Sequence, residues 1–196
     1  MSRESTDVRQ EQIKKAVLDI IADEGLQNIS TRNLAKKIGL SEGAIFRHFP
    51  TKRDIIKGIM DDVAKDLIGS LRNIALSPVK TEEKLFKYLC KNVNYLKENR
   101  GITILLFSEA THLGDKDLKD KLNQILVEQK QFIIKIINDG IAEGVWDKKV
   151  NAEDIAIIYM GIPITFNIEL VLNKTGLNSD NFCKRMYTLI LRTLKK

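Results

Sequence analysis

Cysteine is scarce in this chain. Cys90 and Cys183 are the two in 196 residues, and neither has a partner at metal-ligand spacing. That excludes a disulfide scaffold and a zinc module, and it suits a reducing compartment. Histidine is as rare: His48 and His112 lie 64 residues apart. No nucleophile elbow, no glycine-rich phosphate loop and no metal-spaced cluster accompanies them. His112 has Glu109 one helical turn away, a pair that reads as a hydrogen bond rather than an acid–base site. The chain is therefore not expected to be an enzyme, and no catalytic residue, metal or cofactor is expected. Three Pro and 11 Gly exclude a collagen-like or low-complexity chain. The first ten residues are polar and charged, so no signal peptide is expected and the cytoplasm is the expected location. Alternation with period two is almost absent, which argues against strands.

What is present instead is the helical period. Ile13, Val17, Ile20 and Ile21 form one stripe, ended by Gly25. Leu34, Ala35 and Ile38 mark a short helix stopping at Gly39. A third, from Glu42 to His48, takes Ser41 as its N-cap. Thr51 with Asp54 three residues on opens a longer helix whose stripe continues to about Ala75. Further helices are expected over 81–96, 102–113, 115–142, 151–173 and 179–194, nine in all, so the fold class is all-α. The segment 155–172 is apolar enough to imitate a membrane span. It carries Pro163, Asn167 and Glu169, and it reads better as a helix buried between neighbours or between two subunits, so no membrane partner is expected.

The formal net charge of +6 is unevenly spread. Between 28 and 60, seven Lys and Arg face only Glu42 and Asp54, and 184–196 adds five basic residues and no acid. A local basic patch favours an acidic polymer as partner. The same stretch has the logic of a helix-turn-helix: Ala35 is small where two helices cross, Gly39 turns the chain, and Ser41 satisfies free N–H groups. With Ile45 and Phe49 facing the core, Glu42, Gly43, Ala44, Phe46, Arg47 and His48 are left on other faces of a helix short enough to enter a DNA major groove.

Residues 28–60, with the stripe before them, resemble the DNA-binding domain of the TetR/AcrR family of transcriptional regulators. The resemblance rests on Ile29, Thr31, Leu34-Ala35, Ile38-Gly39-Leu40-Ser41, Gly43, Ala44-Ile45-Phe46, His48-Phe49, Lys52 and Ile55-Ile56. It implies a DNA-binding domain at 1–53 and a helical effector-binding and dimerisation domain at 54–196. It implies phosphate contacts from Thr31 and Arg32, with Ser41 and Glu42 at the start of the recognition helix. Gly43 and Ala44 would face bases, and Arg47 would read guanine or hold a phosphate. Lys52 would hold a phosphate, with Arg53 adding to it. Phe46 stands where the family usually has tyrosine, so a packing role is expected there. His48 has two readings, a donor to phosphate or a part of the packing around Phe49.

One short motif reads few base pairs, so a homodimer on a palindromic operator of double-stranded DNA is implied. Ile158, Ile162 and Leu170, with Phe182, Met186, Leu189 and Ile190, are the expected dimer surface, the alternative being that they complete the monomer core. A small-molecule effector would need an apolar pocket with a few polar groups. Phe86, Phe107, His112, Trp146, Tyr159, Met160 and Phe166 are the candidates for it, a plain hydrophobic core being the alternative. The function implied is a ligand-responsive repressor. The rivals are a nucleoid-type or constitutive DNA-binding protein without an effector, and a helical enzyme.

Overall fold

The computed structural model describes residues 5–112, 115–173 and 181–195, the side chains of 110–112 excepted. Ten α-helical elements follow one another: α1 Thr6–Glu24, α2 Thr31–Ile38, α3 Glu42–His48, α4 Lys52–Asp62, α5 Gly69–Leu76, α6 Thr81–Glu98, α7 Ile102–His112, α8 Lys116–Ala142, α9 Ala152–Leu172 and α10 Phe182–Leu194. Among the described residues there is no strand. Because α4 runs into α5 without leaving the helix, the continuous α-helical runs among the described residues number nine, beside a short 3-10 turn at Leu26–Asn28.

The run from α4 to α5 is not uniform, as the single stripe had implied. A π-helical turn, Val63–Ile68, separates the two. The reason is visible in the spacing of the buried residues. Val63, Leu67, Leu71 and Ala75 recur every four positions and are all buried. A spacing of four exceeds the 3.6 residues of an α-helical turn, so a plain α-helix would rotate these side chains progressively off one face. A wider turn cancels part of that drift.

The chain divides into two compact units, residues 1–62 with 99–122, and 63–98 with 123–196. The packing unit thus keeps all of α4 with the helices before it, and adds α7. In this first unit α1 packs against α2, α3, α4 and α7. Its stripe of Ile13, Val17, Ile20 and Ile21 is buried, each such side chain stabilising the unit by about 1.5–3 kcal/mol. Gly101 lets α7 come close: a Cβ there would stand 2.6 Å from the Leu18 carbonyl oxygen. Lys14 is buried as well, and its Nζ lies 2.5 Å from both Glu11 and Asp62. Burial pulls the pKa of this ammonium down, and the hydrogen bonds to Asp62 and Glu11 more than reverse it.

In the second unit α6 packs against α5, α9 and α10. Several of the unit's interior polar groups are paired, although the Trp146 indole N–H is buried without a partner among the described residues. Tyr88 donates to the Gln129 carbonyl at 3.0 Å, Asn92 donates to the Gln129 side chain at 3.0 Å, and Asn167 of α9 donates to the Leu96 carbonyl at 2.6 Å. Helix α9 is long and apolar enough to cross a membrane by composition alone. Its Tyr159 and Asn167, however, are fully buried and hydrogen-bonded to α6, as befits a helix inside a bundle. Pro163 sits within α9 and is buried, and the helix continues through it.

Candidate nucleic-acid interface

The turn between α2 and α3 is built as the residue types demand. Ser30 caps α2 by accepting from the Asn33 N–H at 3.1 Å. Gly39 then takes the left-handed conformation, φ 67° and ψ 35°, and open space surrounds its Cα. A side chain there would have room but would still be strained by the backbone. The Leu40 N–H closes the turn on the Ala35 carbonyl at 2.9 Å. Ser41 accepts from the Ala44 N–H at 3.2 Å and so starts α3. At its far end Thr51 and Asp54 exchange two bonds, Thr51 N–H to the Asp54 carboxylate at 3.0 Å and Asp54 N–H to the Thr51 hydroxyl at 3.2 Å. This reciprocal pair opens α4.

Helix α3 is pinned by one residue of its own. Ile45 is 1% exposed, and Phe49 just beyond the helix is buried with it. The opposite side is open: Glu42, Gly43, Phe46 and Arg47 are exposed, and a Cβ on Gly43 would meet nothing within 4 Å. Ala44 is half-buried at the edge of that face. Among the described residues Arg47 has no hydrogen-bond or ion-pair partner, so its guanidinium faces solvent unengaged. Thr31, Phe46 and Lys52, which are far apart in sequence, line one shallow cleft of about 110 Å³. Arg32 is exposed one residue along from Thr31.

His48 is half-buried, its carbonyl accepts from the Gln10 amide at 3.1 Å, and its Nδ1 is buried without a partner among the described residues. That edge of the ring is therefore turned away from solvent.

Two basic side chains are not free as the sequence had suggested. Lys52 Nζ lies 2.9 Å from Glu109 Oε1, a carboxylate that is itself 7% exposed. Arg53 forks onto two acids, with its NH2 group at 3.1 Å from Asp115 and 2.8 Å from Asp117. The guanidinium holds the Asp115 carboxyl down to about 2. Glu109, Asp115 and Asp117 were not singled out as partners of these bases. No local signal reveals them, because the pairs span 57 to 64 residues.

The expected effector residues fall in both units. Phe107 stands exposed on α7 in the first unit, and His112 ends the same helix, its side chain lying outside the described residues. In the second unit Tyr159, Phe166 and Trp146 are 1%, 2% and 4% exposed, so they are core here, and the Tyr159 hydroxyl is taken by the Leu85 carbonyl. Phe86 stacks on Tyr187 with ring centroids 5.2 Å apart, and Met160 is half-buried.

The expected dimer residues divide by face. Ile158 and Leu189 are half exposed, and Ile162, Phe182 and Met186 line an open groove of about 350 Å³ between α9 and α10. Leu170 is half-buried. Ile190, by contrast, is 4% exposed and belongs to the core of its own chain. It lies on the stripe Cys183, Tyr187, Ile190, Leu194, one position round the helix from Phe182, Met186 and Leu189.

Comparison with known proteins agrees with this geometry. The model for bacterial regulatory proteins of the tetR family matches residues 13–59, and that for the YsiA-like protein C-terminal region matches 61–193. The nucleoid occlusion factor SlmA of Vibrio atlanticus is 30% identical over 132 residues, 67% of this chain and 67% of its own. Among solved structures, the ketosteroid transcriptional regulator KstR2 of Mycobacterium tuberculosis superposes with a TM-score of 0.81 at 16% identity, covering 100% of this chain and 97% of its own. A Saccharomonospora viridis protein in complex with choline superposes with a TM-score of 0.78 at 18% identity, over 97% and 99%. With the helix-turn-helix formed and both family models matched along almost the whole chain, this protein belongs to the TetR family of DNA-binding transcriptional regulators.

Proposed function

We propose that the chain acts as a homodimeric repressor of a palindromic operator, released by a small apolar effector. The observation that carries the reading is the outward face of α3. Gly43 and Ala44 leave room for close approach to base edges, and the unengaged Arg47 sits one turn on. Arginine in that place reads guanine or clamps a phosphate. Thr31 and Lys52 line one cleft with Phe46 of the same helix as Arg47 and supply contacts to the DNA backbone. The α9–α10 groove, with Ile158, Ile162, Phe182 and Met186, is the dimer surface that sets the spacing of two recognition helices.

The effector acts by favouring a state in which α4 has tilted and the recognition helices no longer match successive grooves. This asks for a few kcal/mol of differential binding. With Tyr159 and Phe166 buried, the effector binds against the core of the second unit.

Retardation of a promoter-region fragment by the purified chain, with and without apolar candidate ligands, tests both parts. Failure to retard the fragment in dilute buffer, or retardation indifferent to Arg47→Ala, overturns the DNA reading. A ligand that binds without changing retardation overturns the release mechanism. The likeness to nucleoid occlusion factors favours a second reading, a nucleoid-type DNA-binding protein with weak sequence preference and no effector. A footprint showing one defined palindrome near a promoter excludes it.

A further inference from the structure

The two cysteines, 93 residues apart in sequence, meet in the second unit. Helices α6 and α10 run antiparallel, and their contacts keep one register. Tyr187 donates to the Glu82 carbonyl at 2.9 Å, and Lys195 pairs with the Glu82 carboxylate at 3.7 Å. One turn further along α6, Phe86 stacks on Tyr187. Four residues on from Phe86 is Cys90, and four residues back from Tyr187 is Cys183, so the register sets them opposite each other. Cys183 is close enough to Cys90 to raise its thiol, and both cysteines are half-buried rather than sealed.

We propose that Cys90 and Cys183 form a peroxide-sensitive dithiol that closes to an intramolecular disulfide, stapling the first turn of α10 to α6. Burial first, and the neighbouring Cys183 after it, push the Cys90 thiol up to about 12, which keeps Cys90 protonated and casts it as the resolving partner of the pair. The Cys183 sulfur takes one oxygen of hydrogen peroxide, the O–O bond breaks, and a sulfenic acid and water result. The Cys90 sulfur then attacks Cys183 Sγ, the S–O bond breaks, and the proton from Cys90 leaves with the hydroxyl as a second water. Both sulfurs are oxidised, the peroxide is reduced, and a dithiol reductant reverses the step. The turn so held carries Phe182 and Met186 toward the α9–α10 groove on the neighbouring face of α10.

The test uses the reduced full-length chain, freed of reductant and treated with an equimolar amount of hydrogen peroxide. Expected results are the loss of two hydrogens in the intact mass, titratable thiols falling from two to none, and a tryptic peptide joining residues 88–91 to the one ending in Cys183-Lys184. Dithiothreitol restores both thiols. In Cys90→Ser the same treatment leaves a sulfenic acid on Cys183 that dimedone traps. Oxygen added to one cysteine of the wild type with the other thiol intact overturns the proposal, as do disulfides formed only between chains. The readout is chemical and independent of DNA binding, so its failure leaves the repressor reading untouched.

Discussion

The two compact units present opposite problems. The first exposes its functional side chains on a seven-residue helix anchored by a single buried isoleucine. The second places apolar side chains on several faces of the same helices, so that neighbours one position apart have unlike fates. Residue type reports function where the surface is polar and the motif local. It fails where core and interface are both made of isoleucine, phenylalanine and methionine.

The pair Ile158 and Tyr159 offers the strongest way to break this contrast. Tyr159→Ala removes a buried ring and a buried hydroxyl, and thermal unfolding should show a loss of about 3–5 kcal/mol. Ile158→Glu, at a half-exposed position, should leave the unfolding midpoint of the monomer nearly unchanged and shift the chain to monomer in sedimentation. If both variants unfold equally early, the α9 face is core throughout and the proposed dimer surface is wrong.

Within the first unit, Ile45→Ala should cost about 2–5 kcal/mol of stability. Arg47→Ala should leave stability alone and weaken operator binding by about 1–3 kcal/mol, read by fluorescence anisotropy against specific and scrambled duplexes.

A smaller effect sharpens the role of Glu109 on α7. Glu109→Gln should release Lys52 from its ion pair and tighten binding to any duplex by less than about 1 kcal/mol. Lys52→Ala should flatten the salt dependence of binding by about one phosphate contact. Opposite signs for these two variants are required if carboxylate and phosphate compete for the same ammonium.

The smallest effect is the pH response of the Arg53–Asp115 pair. Folding lowers the Asp115 carboxyl from 3.8 to about 2. Stabilisation from the pair is therefore complete above the ordinary value and fades as pH falls through about 2. Asp115→Asn should slightly lower the melting temperature at neutral pH, and the difference from wild type should vanish in strong acid.

Much of the interface was legible because its chemistry is local. Ser41 and Ala44, Thr51 and Asp54, and Ala35 and Leu40 are three to five residues apart, and backbone geometry alone brings them together. The π turn was hidden because a stripe of isoleucines and leucines looks alike at spacings of 3.6 and 4. The pairing of Lys52 with Glu109 was hidden because exposed and paired lysines have the same sequence.

Periodicity, caps and turn residues thus determined by themselves the all-helical class, the helix-turn-helix and which face of α3 is left exposed. Those features depend on interactions within a few residues, whose geometry the chain carries wherever it folds. Only the tertiary structure decided which acids hold Lys52 and Arg53, that Ile190 is core while Leu189 is surface, and that Cys90 faces Cys183. Such contacts arise from the packing of whole helices, and the spacing of residues along one chain holds no record of the register between two.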